Sequence, residues 1–158
     1  MERTLTTEIR VRSASAMRIA EIDRLKFNEA VADGLYPCAP ATKRGSVRLF
    51  NENDLVALYI FARLIDNGIT PRMAGPLACE FAEEARLNPH EDRIIYVKSY
   101  GGMGTFLAGS QWNPDYLKHG GRTGLGQVVF ALDFNVAEIR QVIAEAIEDE
   151  RSIIGEDE

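Results

Sequence analysis

GSVRLFNENDLVALYIFARLIDNGIT, residues Gly45 to Thr70, is the stretch on which the fold turns. Its first part alternates Ser46 and Arg48 with Val47 and Leu49, the pattern of a short strand whose valine and leucine face inward and whose arginine faces water. Asn51 then supplies an N-cap, and Asp54 three residues later completes something close to a capping box and puts negative charge in the first helical turn. Leu55, Leu58, Tyr59, Ala62 and Ile65 follow at i, i+3, i+4, i+7 and i+10, one stripe of a 3.6-residue helix. Gly68 stands where a residue of positive φ ends such a helix. Thr70-Pro71 caps and starts the next one.

A strand, a basic turn (Lys43, Arg44, Gly45) and a helix, in that order, form the wing of a winged helix-turn-helix. The residues Val47-Arg48-Leu49-Phe50, Asp54-Leu55 and Gly68-Ile69-Thr70, with the stripe between them, resemble the DNA-binding domain of MerR-type regulators over about residues 13 to 85. In that family the wing closes on an aromatic-Arg-Leu-Tyr tetrapeptide or a variant of it. The resemblance implies binding to double-stranded DNA, with Arg48 in the place of the family arginine on the phosphate backbone. An ordinary helical segment following a hairpin is the plainer alternative.

The 158 residues suit one domain of ordinary size or two small ones, and 46% hydrophobic with 27% charged residues is the composition of a globular chain. Apolar runs fall far short of the roughly 18 residues of a membrane span. Met1 to Arg12 carries five charged residues and no apolar h-region. The expected location is cytoplasmic, away from membranes. Cys38 and Cys79 have no Cys or His beside them, so neither a metal site nor a disulfide framework is indicated, and both read as small hydrophobic filler. MerR-type metal sensors carry a cysteine pair near the C-terminus, and none follows Cys79. No cofactor is expected.

Net charge is −6, but it is unevenly spread. Residues 1–72 hold 11 Lys/Arg against 9 Asp/Glu; residues 73–158 hold 7 against 15. A DNA-contacting front and an acidic assembly half fit that asymmetry.

Upstream of the wing, residues 1–12 make an arm whose structure the sequence leaves open. From Ser13 to Leu35 a helix-turn-helix can be drawn: Ser13 or Ser15 caps a first helix to about Ala20, Glu21 and Ile22 turn, and Asp23 caps a second helix closed by Gly34. Ile22 and Phe27 are placed as a hydrophobic staple, with Phe27, Ala30 and Val31 inward. Arg24, Lys26 and Asn28 then point outward, suited to guanine, phosphate and adenine. Three solvated residues on an ordinary helix are the alternative. The family usually has Arg-Tyr where this chain has Asn28-Glu29. Pro37-Cys38-Ala39-Pro40 reads as extended backbone leading to the wing tip, where Lys43 and Arg44 can touch a phosphate backbone. For Arg48 the alternative to phosphate is a surface pair with Glu52 or Asp54.

Downstream, Gly75-Pro76 is expected to kink or restart the helix that ends near Asn88-Pro89. The DNA-binding unit is thus drawn as 13–88. Within 89–158, Arg93–Tyr100 and Thr105–Ser110 form a hairpin around glycines, Gln111–Gly126 a surface loop holding Trp112, Tyr116, Lys118, His119 and Arg122, and Gln127–Phe134 a central third strand. Asn135 caps a last helix of about 15 residues whose stripe is Ile139, Val142, Ile143, Ala146 and Ile147. That stripe either packs on the front half or pairs with its copy; its place in the chain resembles the family's dimerisation helix. The fold class is therefore α+β: an N-terminal MerR-like winged helix-turn-helix, a small antiparallel sheet and a C-terminal amphipathic helix.

The functional expectation is a sequence-specific transcriptional regulator acting as a homodimer. The alternative is a DNA-architectural protein of a mobile element, like an excisionase or a small terminase subunit. Neither Walker A, HExxH nor a Ser-His-Asp order occurs, and His90 and His119 sit in expected loops, so no catalysis is foreseen. The operator and any small-molecule effector are not written in the sequence.

Overall fold

A computed structural model describes residues 9–42, 47–102 and 104–154. The front of the chain runs β1 (Val11–Arg12), α1 (Ser13–Ala20), α2 (Arg24–Ala32), β2 (Leu49–Phe50), α3 (Glu52–Asp66) and α4 (Pro71–Leu87). The back runs β3 (Arg93–Ser99), β4 (Gly104–Ala108), β5 (Arg122–Thr123), β6 (Gly126–Asn135) and α5 (Val136–Ile154).

Helix α3 is the axis. Its capping box is complete: Asn51 Oδ1 accepts from the Asp54 N–H at 2.8 Å, and the Asp54 carboxylate accepts from the Asn51 N–H at 2.9 Å. At its far end Gly68 turns at φ 87°, so that its N–H reaches the Ile65 carbonyl at 2.9 Å and the Ile69 N–H reaches Leu64 at 3.0 Å. Both orphan carbonyls are satisfied in a Schellman motif that a side chain would strain. Between these ends the helix buries more than the expected stripe. Val56, Ala57, Ile60, Phe61 and Leu64 are buried along with Leu55, Leu58 and Ala62, because α1, α4 and α5 all pack against it. A helix apolar nearly all round belongs at the centre of a core.

Neither Ser13 nor Ser15 caps α1. Arg12 occupies the N-cap position without a side-chain bond, and Ser15 is buried beside Arg18. Gly75-Pro76 does not interrupt α4, which is continuous over 17 residues. Pro76 removes one hydrogen bond, to the Arg72 carbonyl, while Ala74, Leu77, Ala78, Phe81, Ala82 and Ala85 bury the same helix. That apolar contact outweighs one missing donor. Gly75 has a packing reason: a Cβ there would lie 1.7 Å from the Leu35 carbonyl oxygen.

Cys38 and Cys79, read from sequence as independent filler, form a disulfide, with Cα atoms 5.7 Å apart. The approach of the Leu35–Tyr36 backbone to Gly75 brings the two segments together, a proximity that a separation of 41 residues does not reveal.

The back sheet has the antiparallel order β4-β3-β6-β5. Strand β6 is an inner strand, as expected, and β3 is the other. Strand β3 has β4 on one side and β6 on the other, whereas β5 covers only Gly126 and Gln127 of β6. Ile94, Ile95 and Val97 are all buried, so β3 is enclosed on both faces. On one face Phe81 of α4 meets Phe106 and Phe134 edge-on, with centroids 4.9 Å and 4.7 Å apart. The segment read as a plain loop, Gln111–Gly126, holds the 3-10 turn Pro114–Leu117 as well as β5, and a further 3-10 turn, Gly109–Gln111, takes the end of the expected return strand. Trp112 and Tyr116 pack edge-on there at 5.6 Å.

Helix α5 is longer than expected, 19 residues, and the Glu138 N–H donates to Asn135 Oδ1 at 3.1 Å. Its stripe does not wait for a second copy. Ile139, Ile143 and Ile147 are buried in the same cluster as Ala16, Leu58 and Phe61, and Ala146 packs on that cluster while Val142 is half-buried. The dimerisation role expected for these five residues is thus replaced by an intrachain one: antiparallel β3–β6 pairing folds α5 back across α1 and α3. Arg18 of α1 grips Glu150 of α5 with two hydrogen bonds of 2.7 and 2.9 Å, and Arg140 donates to the Ala85 carbonyl at the end of α4 at 2.7 Å. The segments 13–88 and 89–158 share one hydrophobic core.

Candidate nucleic-acid interface

The turn between α1 and α2 is fastened from below. Arg63 of α3 donates through Nη2 to the Ala20 and Glu21 carbonyls, at 3.0 and 3.2 Å, and its guanidinium lies 4.8 Å from the Tyr59 ring centre. A cation on the C-terminal carbonyls of α1 offsets the negative end of that helix. Glu21 adopts the left-handed conformation there (φ 53°), which directs the chain out of α1 and into the α2 cap.

Helix α2 begins at Asp23, whose carboxylate accepts from the Leu25 N–H at 2.8 Å, as the sequence predicts. It is anchored by few residues. Phe27 and Ala30 are buried; the Phe27 ring meets Tyr36 at 5.4 Å and Phe50 at 5.9 Å, and Tyr36 meets Phe61 at 4.9 Å. Burial of Tyr36 pushes its phenol far above the ordinary range, with the Asp54 charge adding to the shift. It is a neutral packing group at every physiological pH. Asp54 is itself raised by burial, against the hydrogen bond from Asn51 and the charge of Arg10.

With that face locked, Arg24, Leu25, Lys26 and Asn28 are exposed on the other. The first turn of α2 thus shows two cations and an apolar side chain, Leu25, that is 64% exposed, with the Asn28 amide and the Glu29 carboxylate one turn later. An outward N-terminal turn of this composition suits base edges and phosphates.

The ribbon beside it differs from the expected wing in its strands and in the facing of its side chains. Strand β2 pairs with β1 from the N-terminal arm, in the register Val11↔Phe50 and Arg12↔Leu49. Phe50 is fully buried and sets the alternation, so Leu49 and Val47 turn to solvent while Arg48 takes the Phe50 side. The expected facing of Val47, Leu49 and Arg48 is therefore inverted, since one aromatic anchor in the core outweighs two aliphatic residues at the edge. Arg48 is half-buried and donates to the Pro40 carbonyl, so the proposed pair with Glu52 or Asp54 is not what it makes. Lys43 and Arg44, the expected wing tip, lie outside the described residues.

Sequence reasoning passed over Arg10 and Arg12. Both are exposed on the arm, and Arg12 shares the outer face of the ribbon with Leu49. The signal was present in the alternation Ile9-Arg10-Val11-Arg12, whose aliphatic members pack on the core.

Elsewhere, His90 follows α4 and His119 lies beyond the second 3-10 turn, both exposed. Tyr116, His119 and Arg122 border a shallow depression in which Lys118 pairs with Asp115 at 2.7 Å. Among the described residues no group of three His, Cys, Asp or Glu side chains is placed to hold a metal ion, and no helix is long and apolar enough to cross a membrane. When the chain is compared with known proteins, no family model matches it and no curated protein matches it significantly.

Proposed function

We propose that this chain is a sequence-specific DNA-binding regulator of MerR-like winged helix-turn-helix type. The observation that carries the reading is α2: a helix capped by Asp23, with only Phe27 and Ala30 fully buried and Val31 partly packed on the core, presenting Arg24, Lys26 and Asn28, beside Glu29, to solvent. A helix built only to stabilise a core would bury a longer stripe. Docked in a major groove, Arg24 and Lys26 meet guanine edges or phosphates and Asn28 an adenine edge. The β1–β2 ribbon follows the backbone with Arg12, exposed on its outer face. The chemistry is binding, without catalysis.

As a regulator the chain would act as a homodimer on paired half-sites. Because the α5 stripe is spent inside its own chain, the second copy would meet another surface. The same observation favours a second reading, a DNA-architectural protein that binds as a single copy. Stoichiometry on the selected DNA separates the two.

The test is selection of genomic fragments by the purified chain, followed by fluorescence anisotropy on the enriched duplex across a salt series. Arg24→Ala is expected to cost about 1–3 kcal/mol and to relax preference at one base pair. Arg12→Ala, which removes the exposed cation of the ribbon, is expected to weaken all sequences alike and to lower the salt slope by about 1, with thermal melting to confirm that the variant stays folded. Absence of any enriched fragment, with wild-type binding no tighter than that of the double variant Arg24→Ala/Lys26→Ala, would refute the reading.

A further inference from the structure

The backbone between α2 and β2 is laid over one face of α4. Leu35 and Tyr36 rest on Gly75, where any side chain would collide with the Leu35 carbonyl. One helical turn further along the same face is Cys79, four residues on and bonded to Cys38. Two residues beyond Cys38, the Pro40 carbonyl accepts from Arg48, next to β2. The linker is therefore held at three successive points: by close contact at Gly75, by a covalent bond at Cys79, and by the arginine of the ribbon. Only the middle one can be made and broken by chemistry. Both cysteines are half-buried rather than sealed in the core, so the bond is within reach of a small or protein dithiol.

We propose that the Cys38–Cys79 disulfide is a redox-controlled clasp: oxidised, it fixes the linker on α4 and with it the ribbon beside α2; reduced, it releases the linker and weakens nucleic-acid binding. The second half of this statement rests on the proposed function; the first does not. An external dithiol opens the clasp in two steps. Its thiolate attacks one Sγ, forming a mixed disulfide and expelling the other Sγ as a thiolate, which takes up a proton. Its second thiol then resolves the mixed disulfide, leaving two protein thiols and an oxidised reductant, two electrons and two protons having passed. The core is left in place, because α2 retains its Phe27 contacts and Gly75 its packing under Leu35.

The experiment uses the full chain poised in oxidised and in reduced dithiothreitol. Amide hydrogen exchange is read over residues 35–42 and 52–66, and anisotropy on a selected genomic duplex is read in parallel. On reduction, exchange over 35–42 is expected to rise tenfold or more while 52–66 stays protected, and DNA affinity to fall at least threefold. Cys38→Ser/Cys79→Ser should match the reduced protein and ignore the reductant; should it fail to fold, the reduced wild type carries the comparison. Equal exchange in both states, or two titratable thiols in the oxidised protein, would overturn the clasp. Faster exchange with unchanged affinity would overturn the coupling to nucleic acid. Faster exchange with no DNA bound in either state would support the clasp and count against the DNA-binding reading instead.

Discussion

Helices α2 and α5 start alike and end up in different roles. Each follows an Asp or Asn whose side chain accepts from an early backbone N–H, and each carries apolar residues at helical spacing. Yet α2, nine residues long, buries only Phe27 and Ala30, whereas α5, nineteen residues long, buries Val136, Ile139, Ile143 and Ile147 against α1 and α3. The outer face of α2 shows Arg24 and Lys26; that of α5 shows Glu138, Glu145, Glu148 and Asp149. A helix with a short anchor leaves surface for a partner, and a helix with a long one is part of the frame. The outer face of α5 is acidic, whereas the exposed cations of α2, Arg24 and Lys26, stand beside exposed Glu21, Asp23, Glu29 and Asp33.

The sharpest way to break this comparison is to place a charge in the α5 stripe. Ile143→Asp buries an unpaired carboxylate and is expected to cost about 5 kcal/mol or more, enough to unfold a domain of this size. Circular dichroism should show loss of structure at low temperature. Were the stripe a subunit contact instead, sedimentation would show a folded chain of lower mass, and the framing role of α5 would fall. Phe27→Ala probes the other helix. Removing the ring that touches Tyr36 and Phe50 is expected to cost about 3–5 kcal/mol in chemical denaturation. A cost under about 1 kcal/mol would mean that α2 is held by something other than its aromatic anchor.

The smallest effect sharpens the link between front and back. The Arg18 hydrogen bonds hold the Glu150 carboxyl below the ordinary carboxylate range. A folded-state pKa lowered in this way adds stability above the unfolded value, about 4.3, and that stability is lost as pH falls through the carboxylate range. Arg18 is half-exposed, so the contribution is screened to about 0.5–1 kcal/mol. Glu150→Gln should lower the melting temperature slightly at pH 7 and leave it equal to wild type near pH 3. A constant difference at both pH values would show that the pair acts through packing and not charge.

Local signals in the sequence were read correctly where the neighbours in the chain complete them. The capping box of Asn51 and Asp54, the stops at Gly34 and Gly68, the Asp23 cap and the hairpin around Gly101 and Gly102 each close within a few residues. The outward direction of Arg24, Lys26 and Asn28 was legible for the same reason, since Phe27 and Ala30 fix which way α2 turns. The reading fails where packing in the core decides, even between close neighbours in the chain. Arg48 was assigned to water because Val47 and Leu49 looked like the apolar side, but the buried Phe50 sets the alternation. Pro76 reads as a kink or a restart, yet α4 does not restart there, since its packing on α3 outweighs one lost hydrogen bond.

From the order of amino acids alone came the five helices, the strands β2, β3, β4 and β6, the caps at Asp23, Asn51 and Asn135 and the side of α2 that meets solvent, because each depends on interactions a few residues long. The partner of the α5 stripe, the pairing of β2 with the arm instead of a hairpin mate, the central place of β3 and the bond between Cys38 and Cys79 depend on which surfaces meet after collapse. An apolar stripe or a cysteine carries no label for its partner. Burial on the nearest complementary face supplies that label, and it exists only once the chain has folded.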